Sequence, residues 1–470
     1  MRKFSLNNIW ELTNSNEAKI ALMVALILSI LSNYIFVAFL IFLCIILFYS
    51  YGKKLILGLI IISYLIITTE FFEEFRIYIT FFATTLLFLL FIQEFGLQTK
   101  KFVRVPKQII FFLAFLFVTL LISTLFSSRP IIGFIAIVRM LFFFIICYMF
   151  YSLLKNEENI YVYIYSLFVV VFALGVRMMI DVLNLGIERY FIRVLLIKDS
   201  ELYSSLGYTG LIIFFLSLSL ITSLFFIQKF NFKWKKFLLI IFLVINVFII
   251  ILANSRGGIM AGIISISFIL FILNRNILFK ISSAIVVVSV ILFFAIPFIQ
   301  NSIENYLRLD RVNTREIYWQ LGLEIIQDHP IFGVGTDQYE KYFHSYAPSC
   351  IYKYFESGAG VFGKPHTQNL FLFYEAENGI LGLIVSVSFF WLFFFFAIKT
   401  MKITKKNKDE FYILSVVITG IGIGLFFRSF LEITGYLTYG YITTDLPFWL
   451  IFGILINIYQ KYSTQQQNVS

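Results

Sequence analysis

The 470-residue chain is 60% hydrophobic and only 13% charged, with a mean hydropathy of +0.92. Soluble domains are about 45–50% apolar and about 25% charged, so this composition excludes an ordinary soluble protein. The net charge of +11 would suggest nucleic acid as the partner of a soluble protein. In a membrane protein it indicates the positive-inside distribution of lysine and arginine instead, and no nucleic-acid partner is expected.

Apolar segments that are long enough to cross a bilayer follow one another along the whole chain. We therefore predict an all-α polytopic membrane protein with about 14 transmembrane helices and one long outer loop. The first two spans are short, and 12 spans plus a re-entrant hairpin is the alternative. The predicted spans are 18–32, 34–50, 54–69, 77–96, 108–126, 131–153, 159–183, 204–227, 236–253, 257–273, 279–298, 369–398, 411–428 and 444–460.

The basic residues orient these spans. With the N-terminus in the cytoplasm, the inside segments contain 22 of the 37 lysines and arginines and the outside segments contain 13, while Arg139 and Arg177 lie within spans. The inside segments hold 19 lysines and three arginines, whereas the outside segments hold nine arginines and four lysines. Arginine offers a planar fork to phosphate or carboxylate. We interpret the outer face as equipped for an anionic ligand; the alternative is that arginine merely replaces lysine there.

Three regions follow from this layout. Residues 1–203 form the N-terminal transmembrane helices. Residues 204–400 form a candidate catalytic region that includes the outer loop 300–368, where all three histidines lie. Residues 401–470 form the C-terminal transmembrane helices and a cytoplasmic tail.

The stretch ANSRGGIMAGI joins two predicted spans at the outer face. Asn254 or Ser255 can serve as the N-cap of the following helix, and Gly257 and Gly258 leave its first amides accessible. A helix N-terminus carries partial positive charge and free N–H donors. With Arg256 beside it, the turn is a candidate cradle for phosphate; the alternative is an arginine that extends to the lipid headgroups.

The segment DRVNTREIYWQLGLEIIQD carries further arginines. Asn313 followed three residues later by Glu316 is a capping box, which predicts a helix that ends near Gln327. This helix lies on the membrane surface or packs over the spans; the alternative is a structural lid with a solvated arginine face. One face of this helix presents Arg315, Trp319 and Gly322, and another presents Ile317, Leu321 and Ile325. Two further arginines, Arg308 and Arg311, lie just upstream of the helix.

The segment GKPHTQNLFLFYEAENGILGL places His366 just before a long apolar helix, with Thr367 as the predicted N-cap. A helix N-terminus and nearby arginines both disfavour an imidazolium, so a neutral ring is expected near pH 7, as a general base requires. The alternative is a structural histidine, which is also the interpretation of His329 and His344. No zinc site is expected, because no His-x-x-x-His or cysteine pair accompanies them.

In their order and predicted topology, these segments resemble the O-antigen ligase and polymerase superfamily of bacterial membrane glycosyltransferases. The resemblance rests on the outer SRGG turn, on R-x-x-x-W followed by HPIFGVGTDQY, and on H-x-x-N-x-x-L followed by NGILGL. It covers residues 205–400 closely and the rest only through the many spans. The family pattern often has His-x-His-Asn, whereas Gln368 takes the place of the second histidine here.

The resemblance implies an enzyme that passes a glycan from a polyprenyl-diphosphate donor to an acceptor hydroxyl at the periplasmic face, without metal or another cofactor and with inversion. Carried over residue by residue, Arg256 and Arg315 would neutralise charge that develops on the diphosphate, and His366 would be the general base. Candidate substrate-binding residues around them are Ser255, Gly257, Gly258, Arg311, Trp319 and Asn369.

Charged residues in or near spans are rare and usually functional. Arg177 and Arg428 lie near predicted outer ends, where they would extend the track for the anionic substrate. Glu432 and Asp445 are secondary candidates that would hold a partner.

Members of the superfamily differ in the acceptor that receives the glycan. A ligase uses a lipid A-core sugar and a polymerase uses a second lipid-linked glycan; the single dominant outer loop favours the ligase, and the number of spans favours the polymerase. We choose the ligase. A lipid-linked glycan transporter is the competing class, but inverted repeats and discontinuous helices would be expected of it. The resemblance places the protein among the lipids of the bacterial inner membrane, with a cytoplasmic N-terminus and a periplasmic loop and active site.

Overall fold

The structure is a computed structural model that describes residues 52–66, 76–96, 103–185, 257–258, 260–276, 314–346, 366–407, 409–433 and 435–467. Within these ranges every regular element is a helix. We number them α1 (Lys53–Ile66), α2 (Arg76–Phe95), α3 (Lys107–Leu125), α4 (Pro130–Leu153), α5 (Glu157–Leu185), α6 (Met260–Asn276), α7 (Thr314–Asp328), α8 (Tyr339–Tyr346), α9 (Leu370–Thr404), α10 (Glu410–Ser429) and α11 (Ile442–Gln467).

The described helices follow the apolar runs of the sequence. Nine of the predicted spans coincide with α1 to α6 and α9 to α11, and the helix predicted to end near Gln327 is α7, which ends at Asp328. Among the described helices, five are long and apolar enough to cross a membrane: α2, α3, α4, α9 and α10. The chain is therefore a multi-pass membrane protein. The other predicted spans, 18–32, 34–50, 204–227, 236–253 and 279–298, lie outside the described residues.

Helix α9 is the central element, with α3, α10 and α11 packed around it. Its Phe389 ring is buried and lies 6.0 Å from the ring of Phe112 in α3 and 5.5 Å from that of Phe448 in α11. On α10, a β-carbon at Gly422 would come within 1.9 Å of the Phe393 ring, so only glycine allows this contact. Small residues that admit bulky neighbours are the usual means of close helix packing in membranes.

Ion pairs join the helix ends at one end of the bundle, which we call the lysine end. Lys53 of α1 pairs with Glu94 of α2 at 2.6 Å, and Lys54 pairs with Glu158 of α5 at the same distance. Lys461 of α11 also contacts Glu157. Apart from Glu94, which lies at the inner end of the predicted span 77–96, these residues come from segments that the sequence assigned to the inside. Their meeting at one end agrees with the alternating arrangement of the spans.

Non-helical segments of the described part of the chain meet at the opposite end of the bundle. They are residues 126–129, 329–338, 366–369, 430–433 and 435–441, and we call this region the His366 end. Each was predicted to lie outside. The candidate site residues that the structure describes lie in or beside this region, except Arg177, which lies in α5.

Candidate active site

The loop 329–338 is held against a kink in α9. Two of its amides, those of Val334 and Gly335, donate to the carbonyls of Ala376 and Glu377 at 3.0 and 2.9 Å. Gly379 has φ 63° and ψ −159°, and a β-carbon there would come within 2.1 Å of the Ile331 carbonyl oxygen. Only glycine adopts this positive φ without strain and also leaves room for the Ile331 carbonyl oxygen. The sequence HPIFGVG therefore packs into the break that Asn-Gly makes in the helix.

Glu377 lies at this kink with only 1% of its surface exposed. Its Oε2 accepts the amide of Asp337 at 2.8 Å, and its Oε1 accepts the amide of Tyr339, the first residue of α8, at 2.7 Å. The Ser123 hydroxyl of α3 donates to its carbonyl at 2.8 Å. The carboxylate thus satisfies amides at the start of α8, as an N-cap side chain does. It fixes the loop, α8 and α9 to one another.

Arg139 connects α4 to two loops of the His366 end. Its Nη2 lies 3.1 Å from Oδ2 of Asp337, and its Nε donates to the Tyr439 carbonyl at 2.7 Å. The guanidinium also lies 3.9 Å from the centre of the Tyr441 ring. The pair is largely buried, with 27% and 19% of the two side chains exposed. Arg139 is therefore a structural connection, which explains a charge within an apolar helix.

Side chains also satisfy the irregular backbone of residues 435–441. The carbonyls of Tyr436 and Leu437 accept from Trp449 and Tyr374, each at 2.7 Å. Asp445, which is fully buried at the start of α11, accepts both the amide and the hydroxyl of Thr438 at 2.6 and 2.7 Å. Irregular backbone is tolerated near membrane depth only when its polar groups are paired in this way. Asp445 thus has a clear role within the fold.

Three non-glycine residues of the described part have positive φ, and all three lie at the His366 end. They are Asp337 (59°), Gln368 (50°) and Tyr439 (50°). Such conformations cost free energy and cluster at functional sites. Among the described residues, this backbone strain is therefore concentrated at the end of the bundle that also carries His366.

His366 begins a tight turn that leads into α9. Its Nδ1 accepts the amide of Gln368 at 3.1 Å, so the proton of a neutral ring is on Nε2. Partial burial lowers the pKa of the imidazole below 6.5, although the carboxylate of Glu432 opposes this shift. The ring is therefore neutral near pH 7, as expected. The predicted N-cap, Thr367, is wrong: Asn369 caps α9, because its Oδ1 accepts the amides of Phe371 and Leu372 at 3.0 and 3.2 Å.

Helix α7 lies against the residue next to His366. A β-carbon at Gly322 would come within 2.9 Å of Cγ2 of Thr367. Residues three and four apart share a face of a helix, so Trp319 and Arg315 lie on the same side of α7 as Gly322. Their backbone positions are described, but the side chain of Arg315 is not. An adjacent side of α7 carries the buried residues Leu321 and Ile325.

The start of the helix after the SRGG turn approaches the same region. Gly257 and Gly258 are helical, and a β-carbon at Gly257 would lie 3.9 Å from the side chain of Leu431. Next to Leu431, the carboxylate of Glu432 acts electrostatically on His366. Arg428, only 4% exposed, hydrogen-bonds to Tyr436. The segment 428–432 therefore lies between the SRGG helix and His366.

The remaining predicted site residues have less structural description. Arg256, Ser255 and Arg311 lie outside the described residues, and so does Asn313 of the predicted capping box. Arg177 lies in α5, and its side chain, like that of His344, is not described. His329 lies next to Tyr342, with the ring centres 5.5 Å apart, as a structural histidine would.

Sequence reasoning missed the roles of Glu377, Asp337 and Tyr439 in building this region. A signal was available for Glu377, since a carboxylate within an apolar run needs partners. Nothing in the local sequence indicated Tyr439, because its partners are 61 and 300 residues away.

The family model described as O-antigen ligase matches residues 239–387 of the chain. The matched part contains Gly257, helices α6 to α8, His366 and the kink at Gly379. It supports placing the chain in the O-antigen ligase superfamily, as the sequence motifs indicated. A comparison with curated proteins gives no match.

Proposed function

From the O-antigen ligase match we propose that this membrane enzyme transfers a glycan from polyprenyl diphosphate to a sugar hydroxyl of lipid A-core. We place the reaction at the His366 end, on the periplasmic side of the bacterial inner membrane, with the N-terminus in the cytoplasm. Residues 204–400, with the loop 300–368, form the catalytic region in this proposal. The reaction needs no metal and inverts the anomeric centre.

One observation carries this proposal. Gly322 of α7 packs on Thr367, the residue next to His366, and residue 315 lies about two turns earlier on the same face of this helix. The contact at Gly257 adds the helix that follows Arg256 to the same region. The described parts of these three motifs, which are Gly257 and Gly258, helix α7 and residues 366–369, lie at one end of the bundle and within the segment that the family model matches, and this supports the proposal.

The donor requires fixed positive charge. When the bond between the anomeric carbon and the phosphate oxygen breaks, the polyprenyl diphosphate leaves with additional negative charge. Arg256 and Arg315 would neutralise that charge, with help from the amides of Gly257 and Gly258 at the helix start. Ser255 and Arg311 would contact the same group, and Arg177 and Arg428 would extend the track for the anion.

The acceptor hydroxyl must lose its proton as its oxygen bonds to the anomeric carbon. We assign the proton to His366, which acts as general base in its neutral form. Because Nδ1 accepts the Gln368 amide, the base role requires this bond to open when the acceptor arrives. Gln368 has φ 50°, a conformation of elevated energy for a non-glycine residue, and this assists such a rearrangement. Asn369 would hold the turn in place as the helix cap.

A reconstituted transfer assay tests the proposal. Full-length protein in liposomes receives polyprenyl-diphosphate glycan and EDTA, with or without lipid A-core, and products are separated on a gel. We expect glycan on lipid A-core only when that acceptor is present. A ladder that grows on the polyprenyl lipid without core would replace the ligase with a polymerase joining lipid-linked units. Glycan that stays on its original lipid would contradict both and favour a transporter.

A further inference from the structure

The indole N–H of Trp319 is screened from solvent and has no hydrogen-bond acceptor among the residues that the structure describes. Buried indole N–H groups normally find an acceptor. Trp449 follows this rule, since its N–H donates to the Tyr436 carbonyl at 2.7 Å. Trp319 is thus a donor for which the described part of the chain supplies no oxygen.

The position of Trp319 connects this donor to the proposed site. Trp319 lies one turn before Gly322, on the face of α7 that packs on Thr367 beside His366. Arg315 lies one turn further toward the start of the helix. An oxygen that reached the Trp319 N–H would therefore lie between the proposed diphosphate site and the proposed base.

We propose that Trp319 binds the first sugar of the lipid-linked glycan, with its N–H donating to a hydroxyl of that sugar. This inference rests on the proposed function and adds a residue that recognises the sugar. A single neutral donor matches a neutral hydroxyl, whereas the diphosphate is the partner of the arginines. The half-buried indole also offers an apolar face to the C–H groups of a sugar ring. Trp319 is a substrate-binding residue and takes no proton.

The test compares two lipids and three forms of the full-length protein. Trp319→Phe keeps an aromatic ring and removes the N–H, and Trp391→Phe is the matched control on an outward-facing surface that is 65% exposed. Binding is measured by titrating polyprenyl-diphosphate glycan and, separately, polyprenyl diphosphate without sugar. We expect Trp319→Phe to weaken binding of the glycan-bearing lipid about tenfold and to bind the bare lipid like the wild type. Trp391→Phe should match the wild type for both.

The outcomes separate this inference from the proposed function. If the wild type binds neither lipid, the proposed function fails. If the wild type binds the glycan-bearing lipid and Trp319→Phe binds it equally well, only the role of Trp319 is overturned. Equal weakening toward both lipids would also overturn the assignment to the sugar. If Trp319→Phe does not fold, the indole N–H resonances of nitrogen-15-labelled wild type are followed instead. We expect one of them to shift with the glycan-bearing lipid alone, and no shift contradicts the proposal.

Discussion

At the scale of single residues, the buried carboxylate of Glu377 has the most demanding environment. It accepts amides from Asp337 and Tyr339 with its two oxygens. Glu377→Gln would turn an NH2 group toward one of these two amides, so that this amide loses its acceptor while the remaining oxygen still accepts the other. We expect a loss of about 1–3 kcal/mol in the free energy of unfolding, measured as a lower Tm in detergent. The control is Glu375→Gln on the same helix, a less buried position; equal Tm values for the two variants would contradict the capping role.

His366 gives the molecule a pH dependence whose sign follows from its environment. Burial lowers the pKa of the folded-state imidazole below 6.5. The unfolded chain therefore binds a proton at a higher pH than the folded chain does. Stability is full above pH 6.5 and decreases as the pH falls below it, until the folded state is protonated too. We expect the Tm of the wild type to fall more than that of His366→Gln between about pH 8 and about pH 5. If the Tm of both proteins changes equally with pH, His366 does not contribute to the pH dependence of stability.

At the scale of elements, the kink in α9 depends on Gly379. Alanine there combines an unfavourable positive φ, which costs about 1–2 kcal/mol, with a clash against the Ile331 carbonyl. We expect Gly379→Ala to lose about 2 kcal/mol or more, because overpacking adds about 1–3 kcal/mol. Gly52→Ala is the control, since Gly52 has φ 78° but no atom within 4 Å of a β-carbon. If the two variants have the same Tm, the loop 329–338 does not depend on the close contact.

Arg139 and Asp337 connect α4 to the loop 329–338, and a double-mutant cycle measures the connection. Arg139→Gln and Asp337→Asn each remove one member of the pair. We expect the double variant to be less destabilised than the sum of the single variants, by about 1 kcal/mol. The cycle is measured by unfolding in detergent. Additive losses would mean that the two side chains act independently.

The helices themselves could be predicted from the sequence, because the length of an apolar run sets the length of a span. The predicted span 108–126 corresponds to α3 (Lys107–Leu125), and the predicted span 131–153 corresponds to α4 (Pro130–Leu153). The kink was missed, because it depends on Pro330 and Ile331, which are distant in sequence. Asn-Gly within an apolar run was the available signal. The order of the site motifs was readable from sequence, but their contact at Gly322 and Thr367 depends on tertiary packing.

At the scale of the whole molecule, the lysine end and the His366 end lie at opposite ends of one bundle. Single cysteines at Lys405 and Arg129, both exposed, report on the two ends. In a background where Cys44, Cys147 and Cys350 are serine, we expect an impermeant maleimide added to intact spheroplasts to label Arg129→Cys only. Lys405→Cys should react only after permeabilisation. Labelling of Lys405→Cys in intact spheroplasts would reverse the proposed orientation.

In the proposed reaction, Arg256 and Arg315 neutralise the diphosphate leaving group. The most direct measurement is the transfer rate of Arg315→Ala in liposomes with polyprenyl-diphosphate glycan and lipid A-core. Arg275→Ala, an exposed arginine near the end of α6, is the matched control. We predict that Arg315→Ala folds and inserts but loses at least about a hundredfold in rate, and that Arg275→Ala transfers like the wild type. Wild-type transfer by folded Arg315→Ala would contradict the account.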